Sequence, residues 1–167
     1  YLGVESGCDR ILQEVKKGCT REQMIAAGRR LIEGGLDVWC TILLGLGGTG
    51  KACEEHAVQT ATLINEMKPN HVSAMTYTPV SGTELYEKVR SGEFKTLDAI
   101  EALQETRMFI ENITLANLHF TSNHVSNYLP LKGTLSQDKH RLLAALHRVI
   151  TTGNGVRSTP PGRRLYL

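Results

Sequence analysis

The chain has 167 residues, of which 41% are hydrophobic and 22% charged, and its formal net charge is +2. This size and composition predict one globular domain rather than a disordered or membrane-spanning chain. No apolar run is long enough to span a bilayer and no signal peptide precedes Tyr1, so we expect a cytoplasmic protein that binds no membrane.

The distribution of charge also bears on the partners. Arg157, Arg163 and Arg164 lie near the end of the chain, with no acidic residue beside them, and the body before them is nearly neutral. A nearly neutral body argues against nucleic-acid binding. We expect residues 1–150 to form the folded domain and residues 151–167 to form a flexible basic tail.

The first two helices have clear boundary signals. Residues 1–5 predict a short strand, and Asp9 is expected to cap a helix that continues to about Lys17 before Gly18 ends it. Thr20 and Gln23 form a capping box at the start of a second helix.

A glycine-rich segment follows a strand in the middle of the chain. The apolar run over residues 38–44 predicts a strand buried on both faces, as in a parallel sheet covered by helices on each side. Gly45, Gly47, Gly48 and Gly50 come next, and a helix over residues 53–67 follows. Glycines tolerate positive φ and close approach of a ligand. The junction of a strand and a helix N-terminus is a common ligand site in α/β proteins.

The remaining elements continue the alternation. Residues 71–78 predict a strand, residues 83–90 and 97–113 predict helices, and residues 118–122 predict another strand. Ser136 is expected to cap a last helix that ends near Ile150. Repeated βα units predict an α/β fold with a parallel sheet and right-handed crossovers.

The glycine-rich segment nearly matches a phosphate-binding loop. In that motif, backbone N–H groups and a lysine bind phosphates, and a Ser or Thr hydroxyl binds magnesium. Lys51 fits the pattern, but Ala52 stands where the hydroxyl belongs. A P-loop-like nucleotide-binding enzyme that uses residues 45–51 therefore stays an alternative, and so does a plain turn.

Several short motifs, taken together, resemble a known family. They are YLGVESGCD (residues 1–9), VKKG (15–18), AGRR (27–30), TILLGLGG (41–48), PVSGTELY (79–86) and SNHVSNYLPLKGTL (122–135). In this order they resemble the C-terminal half of a radical S-adenosylmethionine (SAM) domain. The most similar members are iron-sulfur oxidoreductases akin to oxygen-independent coproporphyrinogen oxidase.

The resemblance implies a fold and two cofactors. The fold would be half of a parallel (βα)6 partial TIM-type barrel, with about three βα units and a C-terminal helical extension. The intact parent would use SAM and a [4Fe-4S] cluster. The cluster-binding CxxxCxxC motif is absent from the sequence, so we expect no metal ligand here and a fragment that is inactive alone.

The resemblance also implies site residues, although no catalytic residue. Glu5 would accept hydrogen bonds from the amino acid or ribose part of SAM, and Lys17 would face its carboxylate. The full implied cofactor-binding set is Glu5, Lys17, Thr41, Leu43, Gly45, Gly47, Tyr77 and Thr78. The implied substrate-binding set is Asn123, His124 and Asn127.

Two expectations concern partners. The substrate would be a small molecule or a protein whose identity the sequence does not give. A barrel cut between two strands leaves an unpaired edge at residues 1–5, so we expect self-association there. A non-catalytic α/β interaction module is the remaining alternative to an enzyme.

Overall fold

The computed structural model describes residues 1–156, so most of the predicted basic tail lies outside the described residues. The elements in chain order are β1 (Leu2–Glu5), α1 (Asp9–Glu14), α2 (Arg21–Glu33), β2 (Trp39–Leu44), α3 (Lys51–Met67), β3 (His71–Thr76), α4 (Glu84–Ser91), α5 (Ala99–Asn112), β4 (His119–Thr121), β5 (Lys132–Thr134) and α6 (Leu135–Thr152). None of these helices is long and apolar enough to cross a membrane.

The five strands form one sheet in the order β1-β2-β3-β4-β5. Strands β1 to β4 are parallel, and β5 runs antiparallel to β4. Because neighbours in the sequence are also neighbours in the sheet, right-handed crossovers place the connecting helices on the same face. Helices α2, α3, α5 and α6 accordingly pack side by side as one layer. The predicted α/β fold with a mostly parallel sheet is confirmed.

The two faces of the sheet differ in burial. On β2, Cys40, Ile42 and Leu44 are buried beneath the helices, whereas Trp39 and Leu43 on the other face are half-buried. The prediction of a strand buried on both faces is therefore wrong, because the helices of the described chain cover one face only. We call the other face the open face. Its residues on β2, β3 and β4 are Trp39, Thr41, Leu43, His71, Ser73, Met75, His119 and Thr121.

A row of rings crosses the open face at the amino ends of the strands. Trp39 and His71 are stacked with 3.9 Å between ring centroids, and His71 and His119 are stacked at 4.8 Å. These residues are cross-strand partners on three neighbouring strands. Such lateral pairs stabilise the sheet and fix its register.

The beginning of α1 differs from the prediction. Asp9 is the first residue of the helix rather than its cap, and Cys8 precedes it without a side-chain capping bond. The Asp9 carboxylate accepts a hydrogen bond from the N–H of Arg21 at 2.6 Å and so joins α1 to α2. The helix also ends early, at Glu14, because Lys16 adopts a left-handed conformation with φ 55°.

The last part of the chain contains a strand that the sequence did not predict. Strand β5 pairs with β4 just before α6, and Thr134 rather than Ser136 precedes that helix. The helix continues to Thr152, beyond the predicted end at Ile150. The carboxylate of Asp138 accepts a hydrogen bond from the N–H of Thr134 at 2.9 Å, which connects the strand to the first turn of α6.

Candidate functional site

A cavity of about 600 Å³ opens at the carboxyl ends of β1, β2 and β3. Four of the predicted cofactor-binding residues line it, namely Glu5, Lys17, Leu43 and Tyr77. The end of α1, the segment after β2 and the segment that leads into α4 complete its wall, with residues that include Val15, Leu46, Val80 and Leu85. The volume lies within the range of roughly 300–1,000 Å³ that is usual for small-molecule sites.

A charge pair forms the polar side of this cavity. Lys17 Nζ lies 3.2 Å from Glu5 Oε1, and both side chains are about three-quarters buried. Glu5 has a φ of 61°, and the register of β1 shifts between Gly3 and Glu5, so the carboxylate folds back over Gly3. A Cβ at Gly3 would lie 2.5 Å from Glu5 Oε1, which explains the glycine. The pair can bind a zwitterion, because the ammonium attracts a carboxylate and the carboxylate attracts an amine.

Tyr77 forms part of the apolar side of the cavity. Its ring packs with Leu43, Leu46 and Leu85 in a small cluster apart from the main core. The hydroxyl is buried and has no hydrogen-bond partner within residues 1–156. Burial also raises the pKa of Tyr77, so the hydroxyl stays protonated. A buried polar group without a partner is rare in a folded protein.

The other predicted cofactor-binding residues do not line this cavity. Thr41 lies on the open face, closer to the amino ends of the strands, and Thr78 follows the end of β3. Gly45 and Gly47 face protein atoms instead. A Cβ at Gly45 would lie 3.7 Å from Leu97, and one at Gly47 would lie 2.6 Å from the carbonyl oxygen of Ala52.

The glycine loop, residues 45–50, has hydrogen bonds that disfavour a phosphate site. Such a site needs free backbone N–H groups directed at the anion. The N–H of Gly45 instead donates to the Glu105 carboxylate at 2.6 Å, and the N–H of Gly48 donates to the carbonyl of Gly45. A buried carboxylate at this position opposes binding of a phosphate, which weakens the nucleotide-binding alternative.

The predicted substrate-binding residues lie apart from this cavity. The Asn127 side chain donates to the carbonyls of Ala74 and Ser122 and accepts from the Thr76 hydroxyl, so it connects its loop to β3. His124 is exposed and bonds the Ser126 hydroxyl through Nδ1. Asn123 lines a second cavity of about 700 Å³, at the amino ends of β2, β3 and β4.

The sequence did not indicate two further residues beneath the glycine loop. Glu105 on α5 and His56 on α3 are fully buried, and Oε1 of the glutamate lies 2.5 Å from Nδ1 of the histidine. The only signal in the sequence is a glutamate within the apolar stripe of α5, between Leu103 and Phe109.

The described residues offer no place for an iron-sulfur cluster. No group of three or more His, Cys, Asp or Glu residues within 1–156 could hold a metal ion. Burial raises the pKa of Cys40 and of Cys53 to about 12 in each case, with the Glu105 charge adding to the effect at Cys53. Both thiols therefore stay protonated at neutral pH.

The sequence of the chain is similar to those of several known proteins. No protein-family model matches the chain. It is 30% identical over 103 residues to the tRNA uridine(34) acetyltransferases of Methanocaldococcus jannaschii and Methanocaldococcus infernus, a match that covers 62% of this chain and 19% of each relative. It is 24% identical over 122 residues to the biotin synthase of Methanocaldococcus jannaschii, and that match covers 62% of this chain and 34% of the relative.

A solved structure has the same fold. The Elp3 protein of Methanocaldococcus infernus, with an N-terminal deletion, aligns with a TM-score of 0.64 at 23% identity. The alignment covers 93% of this chain and 36% of that one. The chain therefore spans only a fifth to about a third of the length of the relatives that it matches.

Together the sequence matches support a place for the chain in the radical SAM superfamily. The narrower likeness to coproporphyrinogen oxidase-like proteins stays a prediction.

Proposed function

We propose that the chain is the C-terminal half of the barrel domain of a radical SAM oxidoreductase, and that the cavity at the carboxyl ends of β1 to β3 is part of its SAM site. The observation that carries the proposal is the convergence of Glu5, Lys17, Leu43 and Tyr77 on one cavity. These residues lie far apart in the sequence, and each offers a group that SAM can use.

The chemistry of the cavity matches the parts of SAM. Glu5 accepts hydrogen bonds from the amine of the methionine part, and Lys17 pairs with its carboxylate. Leu43 and Leu46 provide an apolar wall for adenine, and the unpartnered Tyr77 hydroxyl donates to an oxygen or nitrogen of the adenosine. When bound, SAM supplies the adenosyl group for radical chemistry.

The chain contributes binding and orientation but not the cluster. Because its described residues do not fit a [4Fe-4S] cluster, we propose that the cluster belongs to another part of the parent and that this chain alone is inactive. We further propose that Asn123 and His124, which are exposed, are the residues of the predicted substrate-binding set that are available to a substrate.

The first test is titration of the 167-residue chain with SAM by isothermal calorimetry. We expect saturable binding that Glu5→Gln and Lys17→Met each weaken about tenfold, because each removes a charge-assisted hydrogen bond. Lys51→Ala is the matched control, since Lys51 is exposed at the start of α3 and outside the cavity. Absence of SAM binding, or binding of ATP that Lys51→Ala abolishes, would contradict the proposal.

The second test concerns the parent protein. We expect the coding sequence upstream of Tyr1 to contain CxxxCxxC. The complete protein, reconstituted with iron and sulfide without oxygen and then reduced with dithionite, which supplies the electron, should cleave SAM to methionine and 5′-deoxyadenosine. A complete gene that lacks the motif would refute a radical SAM parent.

A further inference from the structure

A buried hydrogen-bond network lies beneath the glycine loop. Both oxygens of Glu105 are engaged, Oε2 with the N–H of Gly45 at 2.6 Å and Oε1 with Nδ1 of His56 at 2.5 Å. The glutamate is 0% exposed and the histidine 2%. One carboxylate therefore connects α5, α3 and the first residue of the loop.

Stability alone does not explain a carboxylate at this position. Burying a charged group is unfavourable, and well-packed apolar residues often replace buried ionic groups without loss of stability. The neighbours of Glu105 on the buried face of α5 are mainly apolar, among them Ala102 and Phe109. Apolar residues in place of the whole Glu105–His56 pair would suit that face, so we infer that the pair serves to fix the position of the loop.

His56 supports the loop from below. Its Nδ1 is hydrogen-bonded to Oε1 of Glu105, and its Nε2 is buried without a partner among residues 1–156. The loop rests directly on the histidine, since a Cβ at Gly47 would lie 2.9 Å from the Cβ of His56. The pair thus fixes the loop at two points, Gly45 through a hydrogen bond and Gly47 through close packing.

The position of the loop determines one side of the cavity. Leu43 lies two residues before Gly45 and Leu46 directly after it, and both line the cavity. Tyr77 donates its N–H to the carbonyl of Leu44 at 2.8 Å. A Cβ added at Gly45 would lie 3.8 Å from the Cβ of Tyr77. Rotation of the Gly45 peptide would therefore move both Leu46 and Tyr77.

We propose that Glu105 and His56 are positioning residues, which hold the glycine loop so that Leu46 and Tyr77 face a bound adenosyl ligand. The inference rests on the proposed function for the identity of the ligand. The mechanical part, that the pair fixes the loop, does not depend on it.

The mechanical part is tested by amide hydrogen exchange, measured by NMR on the 167-residue chain. In Glu105→Leu we expect the Gly45 amide to exchange about tenfold to a hundredfold faster, as for loss of a hydrogen bond to a charged group. Glu105→Gln keeps an oxygen acceptor and should show a smaller increase. Phe109→Leu is the control, because Phe109 lies on the buried face of the same helix and contacts Phe120 instead of the loop.

The ligand part is tested with SAM itself. Glu105→Leu should weaken SAM binding, Glu105→Gln should restore part of it, and Phe109→Leu should leave it unchanged. His56→Gln is the second variant if Glu105→Leu does not fold, and it should loosen the residues on both sides of Gly47.

The outcomes separate the two proposals. If Gly45 exchanges no faster in Glu105→Leu than in Phe109→Leu, the positioning role is overturned. If the loop loosens in Glu105→Leu but this variant binds SAM as tightly as the wild-type chain does, the role of the pair toward the ligand is overturned. If the wild-type chain binds no SAM, the proposed function fails, and the exchange data alone decide the mechanical part.

Discussion

Two glycines near the start of the chain are required for different reasons. Gly3 leaves room for the ends of two flexible side chains, the carboxylate of Glu5 and the ammonium of Lys17. Gly7 leaves room for backbone, since a Cβ there would lie 2.3 Å from the carbonyl oxygen of Gln59. A flexible side chain can move away at little cost, whereas packed backbone cannot.

This contrast predicts opposite effects of one added methyl group. Gly3→Ala should displace the Glu5–Lys17 pair and weaken SAM binding, with little change in the free energy of unfolding. Gly7→Ala should lower that free energy by about 1–3 kcal/mol through overpacking. Urea denaturation and calorimetry measure the two effects. Equal destabilisation by both substitutions would contradict the interpretation.

The buried thiols predict how stability depends on pH in the alkaline range. Burial raises the pKa of Cys40 from 9.0 to about 12. Below pH 9 the thiol is protonated in both folded and unfolded chains, so its contribution is constant. As the pH rises from 9 towards 12, only the unfolded chain loses the proton, and stability falls. Denaturation curves at pH 8 and 10.5 should show this loss, and Cys40→Ala should reduce it.

The sequence indicated only part of the site at the level of residues. Glu5, Leu43 and Tyr77 converge on one cavity because each lies at the carboxyl end of a parallel strand or just after it, and Lys17 reaches the same cavity from the end of α1. Glu105 could not be found in this way. A single glutamate in an amphipathic helix is normally exposed, and its partners lie more than one element away.

At the scale of elements, two helix caps should differ in their effect. Thr83 caps α4, whose side chains are all at least partly exposed, and Thr20 caps α2, which buries Met24 and Ile25. Thr83→Ala and Thr20→Ala should each destabilise their helix by about 1 kcal/mol. Only Thr20→Ala should lower the melting temperature of the whole chain, because α4 contributes little to the core.

Amide exchange checks the effect on α4. In Thr83→Ala the exchange should become faster in α4 alone, because this helix has no fully buried side chain to hold it in place. An exposed ion pair between Lys16 and Glu84 connects α4 to the chain after α1, and the Lys16 ammonium lowers the pKa of Glu84. A fall in melting temperature equal to that of Thr20→Ala would show that α4 is part of the core.

The sequence predicted elements well where their signals were local. The capping box of α2, formed by Thr20 and Gln23, was visible within four neighbouring residues and is confirmed. Strand β5 was missed because three residues, one of them Gly133, are too few for an alternating pattern. The early end of α1 was missed because a left-handed lysine, Lys16, has no sequence signature.

At the scale of the whole molecule, the described sheet has an exposed edge. Strand β1 pairs only with β2 within residues 1–156, and Tyr1 beside it is 98% exposed. An unpaired edge is a template for another chain. We therefore expect self-association through residues 1–5, which sedimentation velocity would detect as a rise in mass with concentration.

A charge at this edge should weaken the association. Tyr1→Lys adds one without touching the buried core, and it should shift the equilibrium towards monomer. Lys132→Tyr, at the opposite edge on β5, is the control and should have no such effect. A wild-type chain that remains monomeric at high concentration would contradict the expectation.

Closure of the sheet into a barrel was predicted from the resemblance and stays a prediction. The described sheet has one feature that such a closure would need, a face that its helices do not cover. The strand order never reverses, so successive crossovers leave one face of the sheet without a helical layer. Thr41 and Met75 on that face are partly buried, and one is polar and the other apolar. From such a mixture, local sequence patterns cannot predict whether the face contacts solvent or another part of a protein.

The open face carries its own optical reporter. Trp39 is the single tryptophan of the chain, and it stands at one end of the stacked row with His71 and His119. Its emission therefore comes from this face alone, with no background from the helical layer. Any molecule that covers the face would remove water from the indole and shift the emission to shorter wavelength, so covering of the sheet can be followed in solution without a label.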